Sequence, residues 1–121
     1  MTKIIIVDDD EASNYLTELI IKSVDANCKI QSFTNPKEVI DTINLLEIDE
    51  NTILLLDLNM PEMNGWEFLD KFENTGKICK FFILTCSSSI TEKENLEKYP
   101  NIKYFFTKPL AKQNIEFFLK N

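Results

Sequence analysis

The sequence predicts an α/β fold built on a doubly wound, five-stranded parallel sheet, and three observations carry that expectation. Five short runs of β-branched, aliphatic or aromatic residues alternate with five helical patterns, and strict alternation of this kind implies right-handed crossovers between parallel neighbours. The run from Ile53 to Leu56 is apolar at every position, which suits a strand covered on both faces. Two of the runs, KIIIV and ILLL, stop abruptly at aspartates, and in open α/β sheets the ligand crevice lies beyond the carboxyl ends of the strands.

Taken in order, Lys3 to Val7 is the first strand, broken by Asp8, Asp9 and Asp10. Leu16, Leu19, Ile20 and Val24 recur at helical spacing and place the first helix from about Glu11 to Val24, with those four as its apolar stripe. Ile30 to Phe33 makes a shorter second strand. Thr34, Asn35 and Pro36 then open a second helix whose stripe is Val39, Ile40, Ile43 and Leu46, proline being tolerated in a first turn. The third strand ends at Asp57. A turn-rich segment with Asn59, Pro61, Asn64 and Gly65 leads from it to a short helix marked by Trp66, Leu69 and Phe72, which fades near Gly76.

Lys80 to Leu84 is the fourth strand, closed by Thr85 and a Cys-Ser-Ser-Ser loop. Thr91 to Lys98 predicts a fourth helix whose only clear anchors are Ile90 and Leu96, so it is expected to be the least firmly packed. Ile102 to Phe106 is the fifth strand, followed by Thr107, Lys108 and Pro109, and Ala111, Ile115, Phe118 and Leu119 mark a closing helix. The expected strand order is 2-1-3-4-5, a (βα)5 three-layer sandwich of the flavodoxin-like kind, with strands one and three adjacent at the topological switch point.

A chain of 121 residues suits one domain over 1–121 and buries roughly two-thirds of its unfolded surface. Hydrophobic residues at 44% and charged residues at 27% match a globular domain and exclude disorder as its main state. No apolar run approaches a membrane span, and the start MTKIIIVDDD lacks the core and cleavage site of a signal peptide, which points to a cytoplasmic protein. Thirteen basic against twenty acidic residues, a formal charge of −7, argue against a basic nucleic-acid face and favour cations or proteins as partners. Cys28, Cys79 and Cys86 lack metal-ligand spacing and are expected as reduced thiols. There is no histidine, so any imidazole chemistry has to come from another molecule.

The expected sheet brings distant side chains to one edge. Asp8 and Asp9 follow strand one, Asp57 ends strand three, Thr85 ends strand four and Lys108 follows strand five. Each has an ordinary reading alone, as a helix cap, a turn hydroxyl or a solvated lysine. Their joint placement has no such structural reason. Three carboxylates in one pocket repel and are costly to desolvate unless a hard cation joins them, and Mg²⁺, an oxygen-seeking octahedral ion, fits best. An aspartate beside Mg²⁺ is a competent nucleophile toward a phosphoryl group. A neighbouring lysine and hydroxyl then bind the phosphoryl oxygens.

The segments IIIVDDD, LLLDLNMPEMNGWEFL, ILTCSSS and FFTKPL together resemble the response-regulator receiver domain of two-component signalling over nearly the whole chain, and the expectation is a single-domain receiver with no output domain of its own, the alternative being a piece of a longer regulator. The resemblance implies that Asp57 is the phosphoacceptor, modified by a histidine kinase or histidine phosphotransfer protein. It implies that Asp9 binds Mg²⁺ directly, Asp8 mostly through water, and Asn59 through its backbone carbonyl. It further implies that Lys108 pairs with the phosphate, that the bond to Pro109 is cis, and that Thr85 closes on the modified Asp57. Pro61 and Gly65 belong to the structural part of the D-x-x-M-P-x-M-N-G pattern.

The switch would run from Thr85 to an aromatic on strand five. Many members carry Tyr there, and this chain has Phe105, which lacks the hydroxyl. The fourth helix, fifth strand and closing helix would form the face that binds a downstream protein, and a phosphorylation-linked dimer is a further implied partner. The domain would catalyse only its own phosphorylation and slow dephosphorylation. The runner-up reading is a receiver-like adapter that binds without phosphorylation, disfavoured because the set of site residues is complete. A phosphatase would need a second carboxylate where Asn59 stands, and the acidic loop after strand one would repel a flavin phosphate.

Overall fold

A computed structural model describes residues 2–85 and 98–120. Its sheet has five strands, β1 (Lys3–Val7), β2 (Lys29–Phe33), β3 (Ile53–Asp57), β4 (Lys80–Thr85) and β5 (Ile102–Thr107), in the order β2-β1-β3-β4-β5. Every neighbouring pair is parallel. The described helices are α1 (Glu11–Val24), α2 (Pro36–Asp41), α3 (Gly65–Glu73) and the closing helix α4 (Lys112–Lys120). Cys86 and most of the helix expected over Thr91 to Lys98 lie outside the described residues.

Side chains alternate across the strands and so divide the core into two layers. Ile5, Val7, Leu54, Leu56 and Ile83 point to one face, where Val39 of α2 and Phe68, Leu69 and Phe72 of α3 cover them. Ile4, Ile6, Leu55, Phe82 and Leu84 point to the other, against Ile21 of α1 and Ile115 and Phe118 of α4. Phe82 stacks with Phe106 at 5.9 Å and lies 5.6 Å from Phe118. All five residues of β3 are buried, as its unbroken apolar run requires of a central parallel strand.

Local chemistry fixes the helix starts. Asp10 caps α1 by accepting from the Ser13 N–H, and Asn35 caps α2 ahead of Pro36 by accepting from the Lys37 N–H. Asn64 and Glu67 form a reciprocal capping box at the start of α3. That helix ends at Glu73, and three residues on Gly76, at φ 78°, adopts the left-handed conformation glycine favours.

Two expectations need correction. The helix α1 does not bury its leucines: Leu16 and Leu19 are 52% and 50% exposed, Ile20 and Val24 are only partly buried, and the seated face is Asn14, Thr17 and Ile21. The reason is anchoring at close range, since the Asn14 amide donates to the Asp8 backbone carbonyl at 3.0 Å and turns that side of the helix inward. The second helix is also shorter than its stripe. It leaves α geometry at Thr42, whose hydroxyl donates back to the Glu38 carbonyl, and continues as a 3-10 turn over Ile43–Leu45. Val39, Ile43 and Leu46 are buried all the same.

Candidate functional site

The register of the sheet assembles the site. Val7 pairs with Leu56, so the next residues, Asp8 and Asp57, emerge side by side at the carboxyl edge. Thr85 pairs with Thr107, which brings Lys108 to the same rim. Each strand ends in backbone bonds that hold this edge together: the Asp8 N–H donates to the Phe33 carbonyl, the Leu58 N–H to that of Leu84, and the Lys108 N–H to that of Thr85. The Lys108–Pro109 peptide is cis.

Asp8 and Asp57 are 1% and 4% exposed, whereas Asp9 is open to solvent. One oxygen from each of the three carboxylates lies within 4.8 Å of the others. The Lys108 ammonium donates to Asp8 Oδ2 at 2.6 Å and stands 3.4 Å from Asp57 Oδ2. The other oxygens are tied to backbone, with the Asp10 N–H on Asp8 Oδ1 at 3.0 Å and the Asn59 N–H on Asp57 Oδ1 at 3.2 Å. Burial raises the Asp57 pKa above the ordinary carboxylate value and the Asp8 charge adds to it, outweighing the opposing Asn59 N–H and Lys108. For Lys108, burial alone would lower the pKa, but the hydrogen bond and charge of Asp8, with the charge of Asp57, hold it above the usual lysine value.

The donor set suits a small hard cation. All three ligands are carboxylate oxygens, and an octahedral ion with bonds of about 2.0–2.1 Å holds such oxygens about 3–4 Å apart, a spacing within reach of small rotations from the one observed. The loop after Asp57 is pinned from below. Met60 and Met63 are buried in the core beneath it, while Asn59, Pro61 and Glu62 stay exposed. The Gly65 N–H donates to the Leu58 carbonyl, and a Cβ at Gly65 would sit 2.5 Å from Leu58 Cδ2 and 2.9 Å from Leu58 Cα. Glycine is needed there for close approach.

Thr85 is 2% exposed at the end of β4. Phe105 is half-buried and tilted against Trp66 at 6.3 Å, and Trp66 stacks on Tyr99 at 5.4 Å. Sequence reasoning missed Tyr99, whose hydroxyl donates to Asp70 at 2.8 Å; burial and the Asp70 carboxylate push its pKa up to about 12. It also missed Asn14, for which the only cue was a polar residue one turn after the acidic run. Cys28 and Cys79 are buried, and burial raises the pKa of both thiols, which makes them poor nucleophiles. Among the described residues no helix is long and apolar enough to cross a membrane.

Comparison with known proteins adds three findings. The model of the response regulator receiver domain matches residues 4–119. The chain is 32% identical over 109 residues to the transcriptional regulatory protein FlgR of Helicobacter pylori, covering 88% of this chain and 26% of that protein. It is 31% identical over 91 residues to the cell cycle response regulator CtrA of Brucella ovis, covering 75% and 37% respectively. The chain thus spans only about a quarter to a third of the length of these relatives. Among solved structures, a two-component response regulator from Cytophaga hutchinsonii superimposes with a TM-score of 0.86 at 25% identity, over 99% of this chain and 95% of that one. A response regulator receiver protein from Dyadobacter fermentans, at 24% identity and a TM-score of 0.83 over 99% and 96%, shares the fold.

Proposed function

Because the chain belongs to the response regulator receiver domain family, we propose that it is a phosphorylation-switched receiver in which Asp57 accepts a phosphoryl group from a partner phosphohistidine. The observation that carries this reading is the convergence of Asp8, Asp9, Asp57 and Lys108 at one rim. The histidine belongs to a histidine kinase or phosphotransfer protein, consistent with a chain that has none of its own.

An oxygen of Asp57 attacks phosphorus in line. The new O–P bond forms as the N–P bond to the donor imidazole breaks, and the imidazole leaves with that electron pair. Lys108, already within reach of Asp57, follows the incoming phosphoryl oxygens and balances their charge. The Thr85 hydroxyl closes on the phosphoryl group from the neighbouring strand. Asp9, Asp57 and the Asn59 backbone carbonyl would hold Mg²⁺, with Asp8 acting largely through water, and the ion when bound would supply charge neutralisation for the phosphoryl transfer.

Modification adds charge at the end of β3, and a local charge change of this kind biases a bistable element nearby. Phe105, held against Trp66, is the proposed moving part. The proposed output face includes Tyr104 of β5 and Phe117 of α4, 51% and 42% exposed with ring centroids 5.1 Å apart. A receiver of this kind works in the cytoplasm as one domain over 1–121, turning over only its own phosphate. Incubation with a small-molecule phosphodonor and Mg²⁺ tests the reading: intact mass should rise by one phosphoryl group, and Asp57→Asn should abolish the rise. Undiminished modification of that variant would remove Asp57 from its role.

A further inference from the structure

We propose that two copies of this chain associate edge to edge through β2, running antiparallel with Gln31 on the two-fold axis. This inference is independent of the phosphotransfer reading above.

The strand order leaves β2 and β5 as the edges of the sheet, and the two edges differ. The β5 edge is interrupted by a register shift opposite Phe81 and Phe82, the kind of irregularity that blunts an edge against pairing. The β2 edge is regular. Its register with β1 runs unbroken from Lys3 opposite Lys29 to Val7 opposite Phe33, and no proline interrupts Ile30 to Phe33.

The backbone groups on offer follow from the pairing. The Lys29 N–H donates to the Thr2 carbonyl and the Phe33 carbonyl accepts from the Asp8 N–H, so the odd-numbered residues turn toward β1. Alternation then turns the N–H and C=O of Ile30 and Ser32 outward. With Gln31 on the axis, Ile30 of each copy faces Ser32 of the other as a hydrogen-bonded pair, and all four outward groups of each copy are used.

Three further observations favour a second copy as the occupant. The Gln31 Oε1 is shielded from solvent without a hydrogen-bond partner among the described residues, an expensive state for an acceptor. On the axis two Gln31 amides meet and can exchange N–H···O bonds, and that oxygen gives up no bond to turn there. The groove beside the edge is also polarised. Lys22 and Lys29 line the end where β2 begins, Glu18 stands between the two ends and borders both, and Glu11 and Glu38 line the end where β2 finishes, beside Ser32 and Phe33. Antiparallel pairing sets the lysine end of each copy against the glutamate end of the other, so the surface is complementary to itself. Finally, Tyr15 and Leu19 flank the same edge at 63% and 50% exposure and would be covered by the second molecule.

Sedimentation of the full chain at rising concentration tests this in about 0.1 M salt, where the repulsion between two chains of charge −7 is screened beyond about 10 Å. The mass is expected to climb from 14.1 kDa toward twice that value, and a monomer mass maintained to about 1 mM overturns the proposal. Register is tested by Gln31→Cys in a Cys86→Ser background under mild oxidation. Residues facing each other at a non-hydrogen-bonded position have Cα atoms about 4.5 Å apart, inside the disulfide range of about 4.4–6.8 Å. Gln31→Cys should therefore cross-link to a covalent dimer, and Ile30→Cys should not. Association without that preference moves the interface off this edge and also overturns the proposal. Ser32→Pro removes one outward N–H, a change an edge strand tolerates, and should weaken association at least tenfold while the circular dichroism spectrum stays unchanged; undiminished association by a folded Ser32→Pro chain counts against β2.

Discussion

The Lys108 ammonium donates to Asp8 Oδ2 at 2.6 Å while standing 3.4 Å from Asp57, so the lysine is held mainly by the first strand's aspartate. That bond keeps a cation beside Asp57, the proposed acceptor, without saturating it. Lys108→Ala should slow phosphorylation by a small-molecule donor by about 10²–10³-fold, the usual effect of removing one preorganised charge-stabilising donor. Time-resolved intact mass measures it, and a rate within threefold of the parent chain would show that Lys108 is dispensable.

The raised pKa of Asp57 has a defined sign in stability. Its folded value lies above the unfolded one, so the folded chain holds the proton more tightly. Stability from this group is therefore greatest at acid pH and falls as pH rises from the ordinary carboxylate value through the folded pKa. Asp57→Asn removes that penalty, and its amide oxygen can still accept the Asn59 N–H. The variant should melt above the parent chain at neutral pH, and the gap should close below the ordinary carboxylate pKa. Thermal denaturation at the two pH values decides it; a variant that melts lower at neutral pH contradicts the assignment.

Saturating Mg²⁺ should stabilise the chain by relieving repulsion among Asp8, Asp9 and Asp57. At a hundred times the dissociation constant, single-site linkage amounts to about 2.7 kcal/mol. Asp9→Asn, which alters the solvent-exposed ligand, should reduce that gain to a small fraction of itself while leaving stability without metal unchanged or higher. Denaturation with and without Mg²⁺ measures the difference.

Gly65→Ala should destabilise the fold by about 1–3 kcal/mol, the cost of overpacking, because its Cβ meets the Leu58 backbone and not just a flexible side chain. Urea midpoints with an unchanged slope would report it. The displaced Leu58 directly follows Asp57, so Mg²⁺ affinity should fall in the same variant.

Much of this molecule could be read from the chain because strands such as KIIIV and ILLL announce themselves by runs too short and too apolar for helices, and the carboxyl ends are marked by a change to Asp, Thr or Lys. The first helix was placed from Glu11 to Val24, as observed, yet its buried face was misjudged. Apolar periodicity pointed to Leu16 and Leu19, whereas the seat is made by Asn14, Thr17 and Ile21, with Asn14 held by a hydrogen bond to the Asp8 carbonyl that no periodicity contains. The shortened α2 escaped for a similar reason, since the Thr42 hydroxyl competes for a helix carbonyl without disturbing the apolar stripe. Among the site residues, the shared rim of Asp8, Asp57, Thr85 and Lys108 followed from the strand order, while the 2.6 Å bond from Lys108 to Asp8 and the pairing of Tyr99 with Trp66 and Asp70 did not, being side-chain contacts between segments far apart in sequence.

Asp57 is mounted on β3, the strand enclosed on both faces, with β1 and β4 bonded to either side. The proposed phosphoacceptor therefore sits on a strand bonded along both edges, with Asp9, Asn59 and Pro61 exposed around it. Any incoming molecule has to adapt its own approach to a stationary target. On the proposed function, selectivity among donors would then be a question of which of them can present phosphorus to a carboxylate fixed in this way.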